Sequence, residues 1–140
     1  MKRIAGRFAV MSRKEKLLAA EAVMTLYSSW LNIQFISLRR LTTGKEAVLA
    51  EEKSEEAPEL TINHIKIALR RAERFSIWRN RCLVSSFAGK KMLSRRGIES
   101  RIYFGACFDE RGKLKAHAWL KSGDIEVVEK SGEFSELYVL

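Results

Sequence analysis

The stretch Arg95-Arg96-Gly97-Ile98-Glu99-Ser100-Arg101-Ile102-Tyr103-Phe104-Gly105-Ala106-Cys107-Phe108-Asp109 decides the fold, because the residue pattern changes inside it. Two cations followed by glycine spell a helix ending: positive charge in the last turn, and a residue free of Cβ just beyond it. From Arg101 the chain is rich in aromatic and β-branched residues and reads as a strand. Asp109 to Lys113 reads as a turn, Leu114 to Lys121 as a second strand, and Ser122-Gly123-Asp124 as another turn. Ile125 to Lys130 reads as a third strand and Phe134 to Leu140 as a short fourth. Helices before this point and an antiparallel meander after it make an α+β chain.

Upstream of the switch, three helices are expected. Ser12 with Glu15 three residues on is a capping-box spelling for a helix over 12–41. Leu17, Leu18, Ala20, Val23, Met24, Tyr27, Trp30 and Leu31 would form its apolar stripe, with Tyr27 and Trp30 read as core. Lys45 to Glu59 holds six Glu against two Lys and reads as a polar connector ending at Pro58. Thr61 is the expected cap of a helix over 62–75, with Ile62, Ile65, Leu69 and Ala72 inward and Arg70, Arg71 and Arg74 outward. His64 falls in its first turn, where the helix dipole disfavours a cation, and reads as a surface or packing residue. Asn80 can cap a third helix over 81–95, with Leu83, Val84, Phe87 and Met92 as apolar positions.

The 140 residues are expected to form a single domain over 1–140: a helical part over 1–60 containing the connector 45–59, then a core over 61–140. Apolar residues are 46% of the chain, enough for a packed core and too many for a disordered one. No apolar run approaches the roughly 18–20 residues of a membrane span, and the start lacks the long apolar core of a secretory signal. Two cysteines make neither a disulfide framework nor a zinc site, so the expectation is a cytoplasmic protein with reduced thiols and no metal. There is no Gly-rich phosphate loop, hence no expected cofactor. The net charge of +9 sits in residues 66 to 101, which hold eleven Lys/Arg against Glu73 and Glu99. A basic centre can bind nucleic acid or an acidic partner, or be a solvated face; no recognised nucleic-acid motif appears.

Two residues carry the chemistry. Cys82 falls at the second position of the third helix, where free backbone N–H groups and the dipole favour a thiolate, as do Arg79 and Arg81. Cys107, mid-strand, reads as structural. His117, in Ala116-His117-Ala118-Trp119 on the second strand, is a general base if it meets that thiol. A third member would accept a hydrogen bond from the other ring nitrogen.

The runs Ile77-Trp78-Arg79-Asn80-Arg81-Cys82-Leu83-Val84, Leu93-Ser94-Arg95-Arg96-Gly97-Ile98 and Ala116-His117-Ala118-Trp119-Leu120 resemble the transglutaminase-like B protein of lasso-peptide biosynthesis. The resemblance covers roughly residues 62 to 140 and rests on three motifs in order. It implies a minimal transglutaminase fold, papain-like in chemistry, and a cysteine peptidase that removes the leader from a ribosomal precursor before a separate lasso cyclase closes the ring. Cys82 would be the nucleophile and His117 the base. The family often has Asp about a dozen residues after the His; here that stretch offers Glu129, chosen as the third member, with Glu126 and Asp124 as competitors. An odd loop after Ser122 would put Glu129 on the face of His117, and an even loop Glu126. The helical front lacks the strand-rich start of a fused leader-recognition module, so the resemblance implies the split form, dependent on a separate leader-binding protein. Two alternatives stand beside this reading: a basic nucleic-acid-binding module, and another acyl transferase or amidohydrolase on the same fold.

Overall fold

The computed structural model describes residues 11–35, 57–77 and 81–140. Among them are three helices, α1 (Arg13–Phe35), α2 (Pro58–Glu73) and α3 (Arg81–Ser94). Four strands follow: β1 (Arg101–Phe108), β2 (Leu114–Ser122), β3 (Ile125–Val128) and β4 (Ser135–Val139). All pairings are antiparallel, and the order across the sheet is β3-β2-β1-β4. The first three strands form the expected meander. The fourth does not lie beside the third but pairs with β1, where Ile102 and Leu140 exchange two 2.8 Å backbone hydrogen bonds.

The helix ends follow local chemistry. Ser12 and Glu15 close the capping box in both directions: Ser12 N donates to Glu15 Oε2 at 2.9 Å, and Glu15 N to Ser12 Oγ at 3.2 Å. After α3, Gly97 takes φ +67°, with Ile98 N on Leu93 O and Gly97 N on Ser94 O, both 3.0 Å. That double bond is a Schellman ending, and only a residue without Cβ adopts its backbone without strain. The second helix begins earlier than its expected cap. Pro58, with φ already preset and no N–H to leave unpaired, opens α2 behind Ala57, while Thr61 is buried inside the helix. His64 therefore lies beyond the first turn, exposed. Residues 36–41 of the first expected helix, most of the connector and Asn80 lie outside the described residues.

The buried face of α1 also departs from expectation. Ala19, Ala22, Thr25, Leu26 and Ser29 are buried, whereas Leu17 is 72% and Met24 74% exposed, and Tyr27 and Leu31 are exposed too. The helix packs against α2 and α3 at once. Close approach to two neighbours selects small residues at the contact, leaving the larger ones to the flanks. Trp30 is half-buried against the core.

The core lies between the helices and one face of the sheet. Leu26, Ile65, Leu69, Val84, Met92, Leu93, Ile102, Ala118 and Leu120 make it, with Val127 from β3. Each fully buried Leu, Ile or Met removes apolar area worth about 1.5–3 kcal/mol. The opposite face of the sheet carries an aromatic layer. Trp119 is completely buried there, stacked on Tyr103 at 5.7 Å, with Lys130 over its ring. Gly105 allows this. A Cβ at Gly105 would stand 2.8 Å from Ser135 O and 2.9 Å from two Trp119 ring carbons.

Two stability predictions follow from these contacts. Gly105→Ala should cost about 1–3 kcal/mol by overpacking, read as a lower urea midpoint; an unchanged midpoint would mean ring and ladder part freely. Glu21 is clasped by Arg96, with Nη2–Oε2 2.6 Å and Nη1–Oε1 3.0 Å, and more loosely by Arg95. Burial opposes its ionisation, but the Arg96 and Arg95 bonds and charges outweigh that and hold its carboxyl below the ordinary 4.5. A depressed carboxyl stabilises the fold fully above its unfolded pKa and loses that contribution as pH falls through the folded one. Glu21→Gln should therefore cost about 1–2 kcal/mol at pH 7, and the gap to the parent should shrink in acid below 4.5.

Candidate active site

Cys82 is the second residue of α3 and half-buried. The first residue, Arg81, is exposed and reaches back to Ser76 O at 3.5 Å. The start of α3 presents N–H groups that no preceding helical turn can pair, and adds the positive end of the helix dipole. An anion developing beside Cys82 would be met by both.

The position of α3 on the sheet brings Cys82 toward β2. A Cβ at Gly89 would lie 2.6 Å from Leu120 Cδ2, so α3 and β2 touch there with nothing between. The two elements run in the same sense, because the Ser122 hydroxyl at the end of β2 donates to Glu99 O at 2.6 Å, just past the end of α3. From Gly89 back to Cys82 is about 10 Å of helix. From Leu120 back to His117 is about 10 Å of strand. Cys82 and His117 thus arrive at the same end of the α3–β2 pair.

They do not arrive on the same face. Leu120 turns toward α3, while His117 has the parity of Trp119 and lies in the aromatic layer. Its ring stacks on Phe134 at 4.9 Å and on Trp119 at 6.1 Å. No hydrogen bond joins Cys82 to His117 among the described residues. What the imidazole does hold is oxygen: His117 Nε2 is 3.0 Å from Glu129 O and 3.4 Å from Ser131 Oγ. A carbonyl only accepts, so Nε2 carries the hydrogen, which in the neutral ring leaves the lone pair on Nδ1.

The three candidate acids separate clearly. Asp124 is exposed in the two-residue Gly123-Asp124 turn, and Glu126 lies 3.8 Å from Lys121 Nζ. The Glu129 carboxylate turns to α2, bonded by Arg70 and 3.6 Å from Lys66 Nζ. Its main-chain oxygen, not its carboxylate, faces the imidazole. The loop after Ser122 is even, the case that favours Glu126 on an unbroken ladder. A register shift between Leu120 and Lys121 absorbs one residue, so Leu120 faces Val128 and the chain beyond it meets His117. Residue spacing carries no sign of that bulge. Ser131 and Phe134, which also touch the imidazole, escaped the sequence reading for the same reason.

Cys107 is half-buried near the end of β1, opposite Lys115. The basic centre is divided among carboxylates: Lys66 and Arg70 on Glu129, Arg71 on Glu15, Arg95 and Arg96 on Glu21. Among the described residues no helix is long and apolar enough to cross a membrane, and no three metal-ligating side chains converge.

Neither the curated proteins nor the solved structures gave a significant match. The transglutaminase-like superfamily, in contrast, matches residues 26–139, spanning all three helices in part or whole and the entire sheet. Its fold is compatible with cysteine peptidase or acyltransferase chemistry. With Cys82 at a helix start and His117 on the second strand of the α+β frame, the chain belongs to the transglutaminase-like superfamily.

Proposed function

We propose that the protein is a cysteine peptidase that removes the leader from a ribosomally made precursor, of the lasso-peptide kind, in the cytoplasm. The observation that supports this reading is a helix-start Cys82 and a strand-borne His117 at the same end of α3 and β2, with Nε2 of the imidazole on an oxygen acceptor, in a transglutaminase-like chain. Cys82 is the nucleophile, His117 the general base, and Glu129 the third member that orients it.

The chemistry runs through a thioester. His117 Nδ1 takes the Cys82 proton, and the thiolate attacks the scissile carbonyl carbon. Backbone N–H groups at the start of α3 stabilise the oxyanion. The intermediate collapses, the C–N bond breaks, and the imidazolium protonates the departing amine. Water, deprotonated by His117, then attacks the thioester and returns Cys82 as a thiol. No cofactor or metal enters these steps.

The imidazole lies on the face of β2 turned away from α3, so it must be brought to Sγ before this sequence can run. A separate leader-binding protein would supply the effective concentration and orientation that promote closure. This fits an enzyme that is slow alone and fast with its partner, and whose trimmed product passes to a lasso cyclase. Hydrolysis and acyl transfer share the thioester and differ only in the acceptor, so product mass separates them: one water gained at the cut, or an acyl group moved to an amine. A nucleic-acid-binding role is disfavoured, because among the described residues Lys66, Arg70, Arg71, Arg95 and Arg96 of the basic centre are already paired with carboxylates.

The test is incubation of a candidate precursor with this protein, with and without the leader-binding partner, followed by mass spectrometry. Cys82→Ala and His117→Ala should each abolish cleavage to the same floor, because members of a catalytic unit are not additive. Cys107→Ala and His64→Ala should keep most activity. Cleavage by Cys82→Ala at the parent rate, or a parent rate unchanged by the partner, would reject the respective half of the proposal.

A further inference from the structure

Glu129 occupies a position from which both of its ends act. We propose that Arg70 is a remote positioning residue for His117, acting through Glu129: the carboxylate is an anchor on α2, and the main-chain carbonyl is the group that fixes the imidazole. The inference rests on the reading of His117 as general base, and names what holds that base in place of an acid.

Beyond Val128 the chain leaves the ladder, and residues 129–134 connect β3 to β4 without regular structure. Ser131 takes φ 38°, the only positive φ at a non-glycine position among the described residues, and Gly132 follows at φ 138°. This irregular turn folds back over the imidazole, with the Glu129 carbonyl and Ser131 hydroxyl on Nε2 and the Phe134 ring on its face. An irregular segment does not aim a carbonyl by ladder geometry, so the aim must come from a side-chain tie. The Glu129 carboxylate supplies it, bonded by Arg70 and attended by Lys66 one turn away on α2. All three side chains are partly exposed, so the pair contributes little to global stability. Its value is directional: it fixes where residue 129 lies, and therefore where its oxygen points.

The Nε2–H then has two acceptors, the carbonyl at 3.0 Å and the hydroxyl at 3.4 Å, sharing one hydrogen. The neutral ring is held as a single tautomer, with the lone pair on Nδ1. A carbonyl performs the orienting half of a triad acid's work without placing a full negative charge beside the ring.

A charge swap separates an anchoring carboxylate from one that acts on the ring. Arg70→Gln, Glu129→Gln, Glu129→Arg and the pair Glu129→Arg with Arg70→Glu would be compared for kcat, KM and melting temperature. The tautomer of His117 would be read directly from its ring 15N shifts. Arg70→Gln and Glu129→Gln should lower kcat by a similar factor, about tenfold as for lost outer partners of a working imidazole, with KM unchanged and mixed tautomers. The swapped pair should recover kcat to within about threefold of the parent and restore the Nε2–H form, since the tie is remade and the carbonyl is untouched. A folded pair as impaired as Glu129→Arg alone would show that the carboxylate acts on the ring itself and would overturn the proposal, as would a parental tautomer and kcat in Arg70→Gln. The 15N readout needs no substrate. If the parent cleaves nothing, the peptidase reading fails, while loss of the single tautomer in Arg70→Gln and its return in the swap still decide the tie.

Discussion

At Gly89 the third helix has no side chain, and three other elements close in on that gap. A Cβ there would stand 2.6 Å from Leu120, 3.0 Å from Leu69 and 3.7 Å from Val127, which come from β2, α2 and β3. Helix and sheet therefore meet with almost no spacer, and Leu69, Leu120, Met92 and Leu93 are lost to solvent around the contact. Every placement of interest is measured from this point. The height of Cys82 relative to β2, the layer in which α2 lies, and so the reach of Arg70 to Glu129 all follow from how closely α3 sits on Leu120.

Much of this was legible in the residue pattern where the determinants are local. Ser12 and Glu15 spell a capping box and make one; Arg95-Arg96-Gly97 spells a helix ending and makes one. The change of pattern after Gly97 separates helices from strands at the observed boundary. Local spelling failed where two neighbours compete for one surface. Leu17, Met24, Tyr27 and Leu31 recur at helical spacing, yet α1 turns Ala19, Ala22 and Ser29 inward because two helices approach it. Thr61 reads as a cap, but Pro58 starts the helix first.

The site divides in the same way. Cys82 and His117 stand out because helix-start and strand positions can be read from motif and period. The direction of the Glu129 carboxylate cannot, since it depends on a one-residue register shift and on a partner in a helix far away in sequence. Nor does parity along β2, visible in sequence, reveal which face α3 will cover. The consequence is that Cys82 and His117 share an end of the fold but not a hydrogen bond.

The pairing of β4 with β1 leaves the segment over His117 strung between the two edges of the sheet. Residues 129–134 are slung between β3, a four-residue strand at one edge of the sheet, and β4, exposed along its whole length at the other. The central strands are hydrogen-bonded on both sides, whereas these two are held on one. Cooperative units that open below the global transition are drawn from such segments. Fraying of β4 would slacken the Ser131 turn and lift Phe134 from the imidazole while the helical core stayed intact. The imidazole of His117 is thus ordered by a segment tied to the two edge strands, while Cys82 stands on a helix packed into the core.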